Sequence, residues 1–154
     1  RLSTSEHFRI SIVCSYNSRE AERRGMLQVE VDVGRTTVNF VTTHLDYQFD
    51  DGRLFETEQL LKHLDGVKGP LIVVADLNDT PDGSSYKLMR TLFDDAWIVS
   101  RAKSDGFSYP ADKPVKRIDH IFYRIGAGVR AKKSWVVETL ASDHVPVVAE
   151  IEIG

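Results

Sequence analysis

Cysteine is nearly absent: Cys14 is the only one in 154 residues. A lone thiol excludes an intramolecular disulfide and any zinc site built on cysteines. Cys14 lies in the apolar run Ile10 to Tyr16 and is expected to be a buried, inert thiol. Long hydrophobic runs are missing too. No stretch approaches the roughly 20 apolar residues needed to cross a bilayer, so no membrane span is expected. Nor is there an excess of positive charge, since 20 Lys and Arg against 23 Asp and Glu leave a formal net charge of -3. Proteins that grip nucleic acid chiefly by neutralising phosphates are usually basic. This balance disfavours non-specific DNA or RNA binding and leaves room for a local basic groove. Repeats, low-complexity tracts and internal linkers are also lacking, and the length suits one domain with a real core. No signal peptide is visible and the chain begins at Arg1 without a methionine, which leaves the compartment open.

Apolar periodicity then sets the elements. Strands are expected over Phe8 to Tyr16, Met26 to Val33 and Thr37 to Thr43, the last two joined as a hairpin by a tight turn at Gly34-Arg35. Leu71 to Ala75 is continuously apolar after Gly69-Pro70, the pattern of a strand buried on both faces. Further strands are expected at Ile118 to Tyr123, Ser134 to Glu138 and Val145 to Ile153. Arg53 to Leu64 reads as a helix stopping near Gly66, with Leu60, Leu61 and Leu64 inward. A second helix, capped by Ser84 or Ser85, is expected to run to about Phe93 with Leu88, Met89, Leu92 and Phe93 inward. Strands with interleaved helices make an α/β or α+β layered domain.

Polar residues concentrate where strands stop or start. Val38 to Thr43 runs into His44-Leu45-Asp46, and Leu71 to Ala75 runs into Asp76-Leu77-Asn78-Asp79. Arg117-Ile118-Asp119-His120 opens one strand and Ser142-Asp143-His144 opens the last. A carboxylate directly after an apolar run is costly to bury unless it is paired or binds a cation. Asp76 can orient or deprotonate a water, and Asn78 offers neutral donor and acceptor atoms to a phosphoryl oxygen or a metal. Asp143 is a hard oxygen ligand of the kind Mg²⁺ and Mn²⁺ prefer, beside an imidazole that can donate to developing charge. Each cluster also has a plainer reading. Asp-x-Asn-Asp-Thr-Pro-Asp-Gly is turn composition, His44 alone could be structural, Asp143-His144 could be a solvated loop, and Asp119 could pair with Arg117 or Arg124.

Taken in order, these four clusters resemble the C-terminal half of the endonuclease/exonuclease/phosphatase superfamily, the DNase I-like fold. The family's usual patterns there are Thr-His-Leu, Gly-Asp-Phe-Asn, Arg-Ile-Asp-Tyr-Ile-Phe and Ser-Asp-His-x-Pro-Val. Smaller echoes are Arg24-Gly25, Arg53 with Glu58-Gln59, and Gly106-Phe107-Ser108-Tyr109. The resemblance implies a sandwich of two sheets flanked by helices, of which this chain holds about one sheet. It also implies hydrolysis of phosphoester bonds by in-line attack of water, assisted by Mg²⁺ or Mn²⁺. By the same resemblance Asp76 activates the water, and Asn78 holds a phosphate oxygen or a metal. Asp143 is a metal-associated carboxylate, His144 donates to the non-bridging oxygens, Asp119 orients the His144 ring, and His44 meets the phosphate from the opposite side. The metal set is then Asp76, Asn78 and Asp143.

Departures from the family pattern are informative. Ala75 and Leu77 replace the usual glycine and phenylalanine, and His120 replaces a tyrosine; on a strand His120 points away from Asp119 and is read as structural. Nothing in Arg1 to Arg24 matches the family's upstream asparagine or its metal-binding Gln-Glu pair, and Arg1-Leu2-Ser3 resembles the middle of family sequences. Residues 1–154 are therefore expected to be the C-terminal part of such a domain, weak or inactive alone. An exposed apolar sheet face is expected to pair with a second copy or with the missing half. The substrate is left open among nucleic acid, small-molecule and lipid-derived phosphoesters, with the acidic balance favouring the latter two over duplex DNA. The alternative is a non-catalytic binding or scaffold domain that keeps the fold.

Overall fold

Gly34 adopts a left-handed backbone (φ 65°), which a residue without Cβ accepts readily, and so turns β2 (Arg24–Val33) back along β3 (Thr36–His44). The computed structural model describes the backbone of residues 9–16 and the whole of residues 22–154. The side-chain setting expected of Cys14, and the segment Arg1-Leu2-Ser3, lie outside the described residues. In chain order β1 (Arg9–Tyr16), β2 and β3 are followed by α1 (Asp50–Asp65), β4 (Leu71–Asp76), α2 (Ser84–Met89), β5 (Phe93–Asp95), α3 (Ala96–Val99), β6 (Asp119–Arg124), β7 (Val129–Val136) and β8 (Val147–Ile153).

One six-stranded sheet, in the order β1-β2-β3-β4-β6-β5, forms the body of the molecule. Only β3 and β4 run parallel in it, because α1 carries the chain back between them; the other pairs are antiparallel. On one face α1 and α2 bury Val41, Leu71, Val73 and Phe122 against Leu60, Leu64, Tyr86 and Met89. Each large apolar side chain removed from water there contributes about 1.5–3 kcal/mol. On the other face the β7–β8 hairpin and α3 cover Val38, Ile72 and Tyr123 with Val129, Ala131 and Ala96. The layered α/β architecture is the expected one, with this hairpin as a second, small sheet. Farther along the same face Leu27 and Phe40 stay 38% and 36% exposed, so its apolar cover is partial.

Four local expectations need correction. The second helix stops at Met89, and Phe93 lies in β5, opposite Arg124 of β6. A local run that suits a helix is overridden because the strand pairing delivers Phe93 to the core at 1% exposure, while Leu92 remains 48% exposed. That helix is capped neither by Ser84 nor by Ser85: its N-cap is Gly83, and the Asp79 carboxylate accepts from the amides of Ser85 (2.9 Å) and Tyr86 (3.3 Å). The strand expected at Ser134 to Glu138 begins earlier, at Val129, where it pairs with Ile153. Val145 is buried but precedes β8, its amide donating to the Ser108 carbonyl (2.8 Å). The four-residue α3, unforeseen from the sequence, forms where Asp95 caps the Trp97 amide (2.8 Å).

Candidate active site

Strand register assembles the site. His44 at the end of β3 lies directly opposite Asp76 at the end of β4, and Asp76 lies opposite Asp119 at the start of β6. Alternation along each strand turns all three toward the hairpin side of the sheet, with Val38, Ile72 and Tyr123. His120, next in β6, turns to the helical side. It is 2% exposed, packs against Tyr86 and Phe122, and donates from Nε2 to the Asp79 carbonyl (2.9 Å).

The fourth component comes from the loop before β8. Ala111 donates to the Asp143 carbonyl (2.7 Å), and the Tyr109 ring leans on the His144 imidazole at 4.8 Å. These contacts deliver His144 Nδ1 to within 2.7 Å of Asp119 Oδ2, with Nε2 at 3.9 Å from Asp76 Oδ2. On the opposite side His44 Nε2 is 3.4 Å from the same Asp76 oxygen. Asn78, in a left-handed conformation (φ 49°), donates its own amide to Asp76 Oδ1 (2.8 Å) and its side chain to the Leu45 carbonyl (3.0 Å). A cavity of about 650 Å³ opens over this row, lined among others by His44, Asp76, Asn78, Asp143 and His144 and by Tyr47, Tyr109 and Lys116. Five of the six residues singled out in the sequence thus touch one another, and Asp143 faces the same cavity.

Electrostatics follow from the crowding. Burial pushes the Asp76 carboxyl above its ordinary value, and the facing charge of Asp119 adds to this, against the Asn78 amide and the two histidines. Burial by itself would lower the His144 imidazole, but its hydrogen bond to Asp119 and the charges of Asp119, Asp76 and Asp143 outweigh that and hold it above its usual value. Two carboxylates directly opposite on neighbouring strands repel unless positive charge lies between or beside them. Ligand-type atoms of Asp76, Asp119 and His144 lie within 4.8 Å of one another. Asp76, Asp119 and His144 are thus the group that could hold a cation, and of the metal set the resemblance implies, Asp76 belongs to it while Asn78 and Asp143 line the same cavity. Carboxylate oxygens are the hard ligands that divalent cations such as Mg²⁺ take.

A family model described as the endonuclease/exonuclease/phosphatase family matches residues 7–144. The chain belongs to this family. Members of the endonuclease/exonuclease/phosphatase family also populate its structural likenesses. A family protein from Bacteroides vulgatus superposes with a TM-score of 0.73 at 21% identity, over 86% of this chain and 56% of its own. The mannosyl-6-phosphatase of Bacteroides thetaiotaomicron gives 0.70 at 18% identity, over 97% and 68%. D. rerio TDP2, solved with a single-strand DNA product, gives 0.76 at 18% identity, over 98% and 70%. The fold is therefore DNase I-like, and the chain spans little more than half the length of the Bacteroides vulgatus protein. No curated protein matches the sequence.

Arg24, Arg53 and Ser108 entered the sequence reading only as echoes of the family pattern with no role attached, and Glu56 escaped it. Arg24, Arg53 and Glu56 are buried beneath the His44 loop: Glu56 accepts from the Asp46 amide (2.8 Å), and Arg53 donates to the Asp46 carbonyl (2.7 Å). Glu58, suggested by resemblance, faces solvent. The available signal was that Arg53, Glu56 and Thr57 continue the helical stripe of Leu60, Leu61 and Leu64, which places polar groups on a buried face. Ser108 Oγ, fully buried, accepts from the amides of Ile118 (3.4 Å) and Asp119 (3.3 Å) and ties the loop to the start of β6.

Proposed function

We propose that this chain carries the phosphate-handling and water-activating part of a divalent-metal-dependent phosphoester hydrolase. The observation that supports this most is the row His44, Asp76, Asp119 closed by His144 on Asp119. Phosphoryl transfer needs positioning and charge stabilisation more than covalent chemistry, and such a row offers both. Asp76 orients the attacking water for in-line displacement and draws off its proton. His144, its ring held by Asp119, donates from Nε2 to a non-bridging oxygen as negative charge builds, and His44 and Asn78 meet the phosphate from the other side. A divalent cation bound by Asp76, Asn78 and Asp143 supplies Lewis-acid polarisation of the phosphoryl group when present. No helix of the described residues is long and apolar enough to cross a membrane.

The substrate class we assign is a small or lipid-derived phosphoester. Asp76, Asp79 and Asp143 line a cavity with one lysine, Lys116, a poor setting for a polyanionic duplex. Alone, the chain offers the cation few carboxylates, so its turnover should be weak and the whole protein's activity higher. The test is hydrolysis of p-nitrophenyl phosphate and bis-p-nitrophenyl phosphate by the whole protein with Mg²⁺ or Mn²⁺. Metal-dependent release that disappears in Asp76→Asn supports the reading. Hydrolysis unchanged by that substitution would take Asp76 out of the chemistry, and no hydrolysis of any phosphoester class would favour a non-catalytic domain.

A further inference from the structure

Arg24 opens β2 beneath the site and is only 9% exposed. Among the described residues its Nε is the one buried side-chain nitrogen or oxygen with no hydrogen-bond partner. Leaving a buried donor unpaired is costly, so the placement of this guanidinium needs a reason beyond packing. Its Nη2 pairs with the solvated Glu22 (3.1 Å), and its Nη1 lies 3.3 Å from His44 Nδ1.

A guanidinium only donates, and a neutral imidazole has one donor and one acceptor nitrogen. Nδ1 of His44 must therefore accept, which places the proton on Nε2. That conflicts with Asn78, whose Nδ2 lies 3.0 Å from the same Nε2. Turning the Asn78 amide over does not help, because its oxygen would then face the Leu45 carbonyl that Nδ2 contacts at 3.0 Å. With Nε2 protonated, Asn78 gives one hydrogen to Leu45 and keeps the other free. Two donor nitrogens then lie 3.0 Å apart in the cavity wall, with Asp76 Oδ2 standing off at 3.4 Å from His44 Nε2. Their natural partner is an acceptor-only, negatively charged oxygen.

We propose that Arg24 is a positioning residue which holds His44 as its Nε2–H tautomer, so that His44 and Asn78 present paired donors to a single non-bridging phosphoryl oxygen. This deepens the hydrolase reading and rests on it for the identity of the anion. The tautomer itself is independent of turnover.

The test is ¹⁵N imidazole spectroscopy of the metal-free chain at a pH where histidines are neutral, with the His44 signals assigned by His44→Gln. The expected spectrum has His44 protonated on Nε2. Arg24→Met, which removes the donor and keeps the stem, should move it toward Nδ1–H, since Asn78 can then donate to Nε2; Arg24→Lys should retain Nε2–H. Adding inorganic phosphate should shift both the His44 Nε2–H and the Asn78 side-chain amide signals in wild type, with affinity lowered about tenfold in Arg24→Met. A wild-type spectrum showing Nδ1–H overturns the proposal, as does an Arg24→Met tautomer identical to wild type. Phosphate that moves neither signal removes the shared anion site. If Arg24→Met does not fold, the wild-type and Arg24→Lys spectra decide. None of these readouts depends on hydrolysis, so an inactive protein with the expected spectra would sink the hydrolase reading and leave the tautomer assignment standing.

Discussion

Acidification should unlock this protein at His120 before it reaches the ordinary carboxylate range. His120 sits beneath the loop Asp76 to Asp79, sealed among Tyr86 and Phe122, with Nε2 on the Asp79 carbonyl and Nδ1 3.4 Å from an Arg117 nitrogen. Arg117 donates to the fully buried Asp95 (2.6 Å), which also takes the Tyr86 hydroxyl (2.6 Å). Burial, reinforced by the Arg117 charge, lowers the His120 imidazole from 6.5 to about 4, against the hydrogen bond to Asp79 and the charges of Asp95 and Asp119. The unfolded chain therefore takes up a proton near pH 6.5 that the native state accepts only near pH 4. The stability this group contributes is complete above pH 6.5 and lost as pH falls toward 4, by roughly 3 kcal/mol in all. Glutamine at 120 can keep a donor for the Asp79 carbonyl and an acceptor for Arg117 without titrating. Urea unfolding followed by tryptophan fluorescence at pH 7 and pH 4.5 should show wild type losing about 2–3 kcal/mol more than His120→Gln over that interval. Parallel losses in the two proteins would refute the burial of a neutral imidazole at this position.

His144→Ala should lower turnover of the whole protein on the order of 10²-fold, as loss of one preorganised donor does, and near-full release of p-nitrophenol would remove it from the chemistry. In the metal-free chain His144 should titrate above 6.5 by NMR; because its folded value is raised, its stabilising contribution is complete below pH 6.5 and fades as pH climbs through that folded value. Asp119→Asn should bring the midpoint down, and an unmoved midpoint would show that the Asp119 contact is not its cause. A Cβ at position 83 would collide with the Asp79 carboxylate that caps α2, so Gly83→Ala should cost about 1 kcal/mol or more in urea unfolding; an unchanged midpoint would mean that this cap contributes little. Chelation should abolish phosphoester hydrolysis and added Mg²⁺ or Mn²⁺ should restore it; activity that survives chelator would exclude the metal role given to Asp76 and Asp143.

Much of the site was legible because its residues break local rules. Asp76 follows the apolar run Leu71 to Ala75, and Asn78 follows at turn spacing, so burial and polarity collide at a strand end. His120 could be set apart from Asp119 by strand alternation alone. The α2–β5 boundary was not legible. Leu88 to Phe93 has the composition of a helix, and pairing with β6, a long-range event, ended it. The cap of α2 was misplaced for a similar reason, since Asp79 reaches it from across a loop.

Residue types, their order along the chain and the period of their apolar neighbours were enough to determine a layered α/β domain and which carboxylates and imidazoles stand at strand ends. Local physics governs those features: period, turn chemistry and the cost of burying charge. Only the tertiary structure decided that β6 lies beside β4, so that Asp119 faces Asp76, and that a loop from the far end brings His144 onto Asp119. It also decided that Arg24 and Glu56 are buried beneath the His44 loop. Partners distant in sequence become neighbours through sheet order and packing, and the chemistry of this site depends on those long-range contacts.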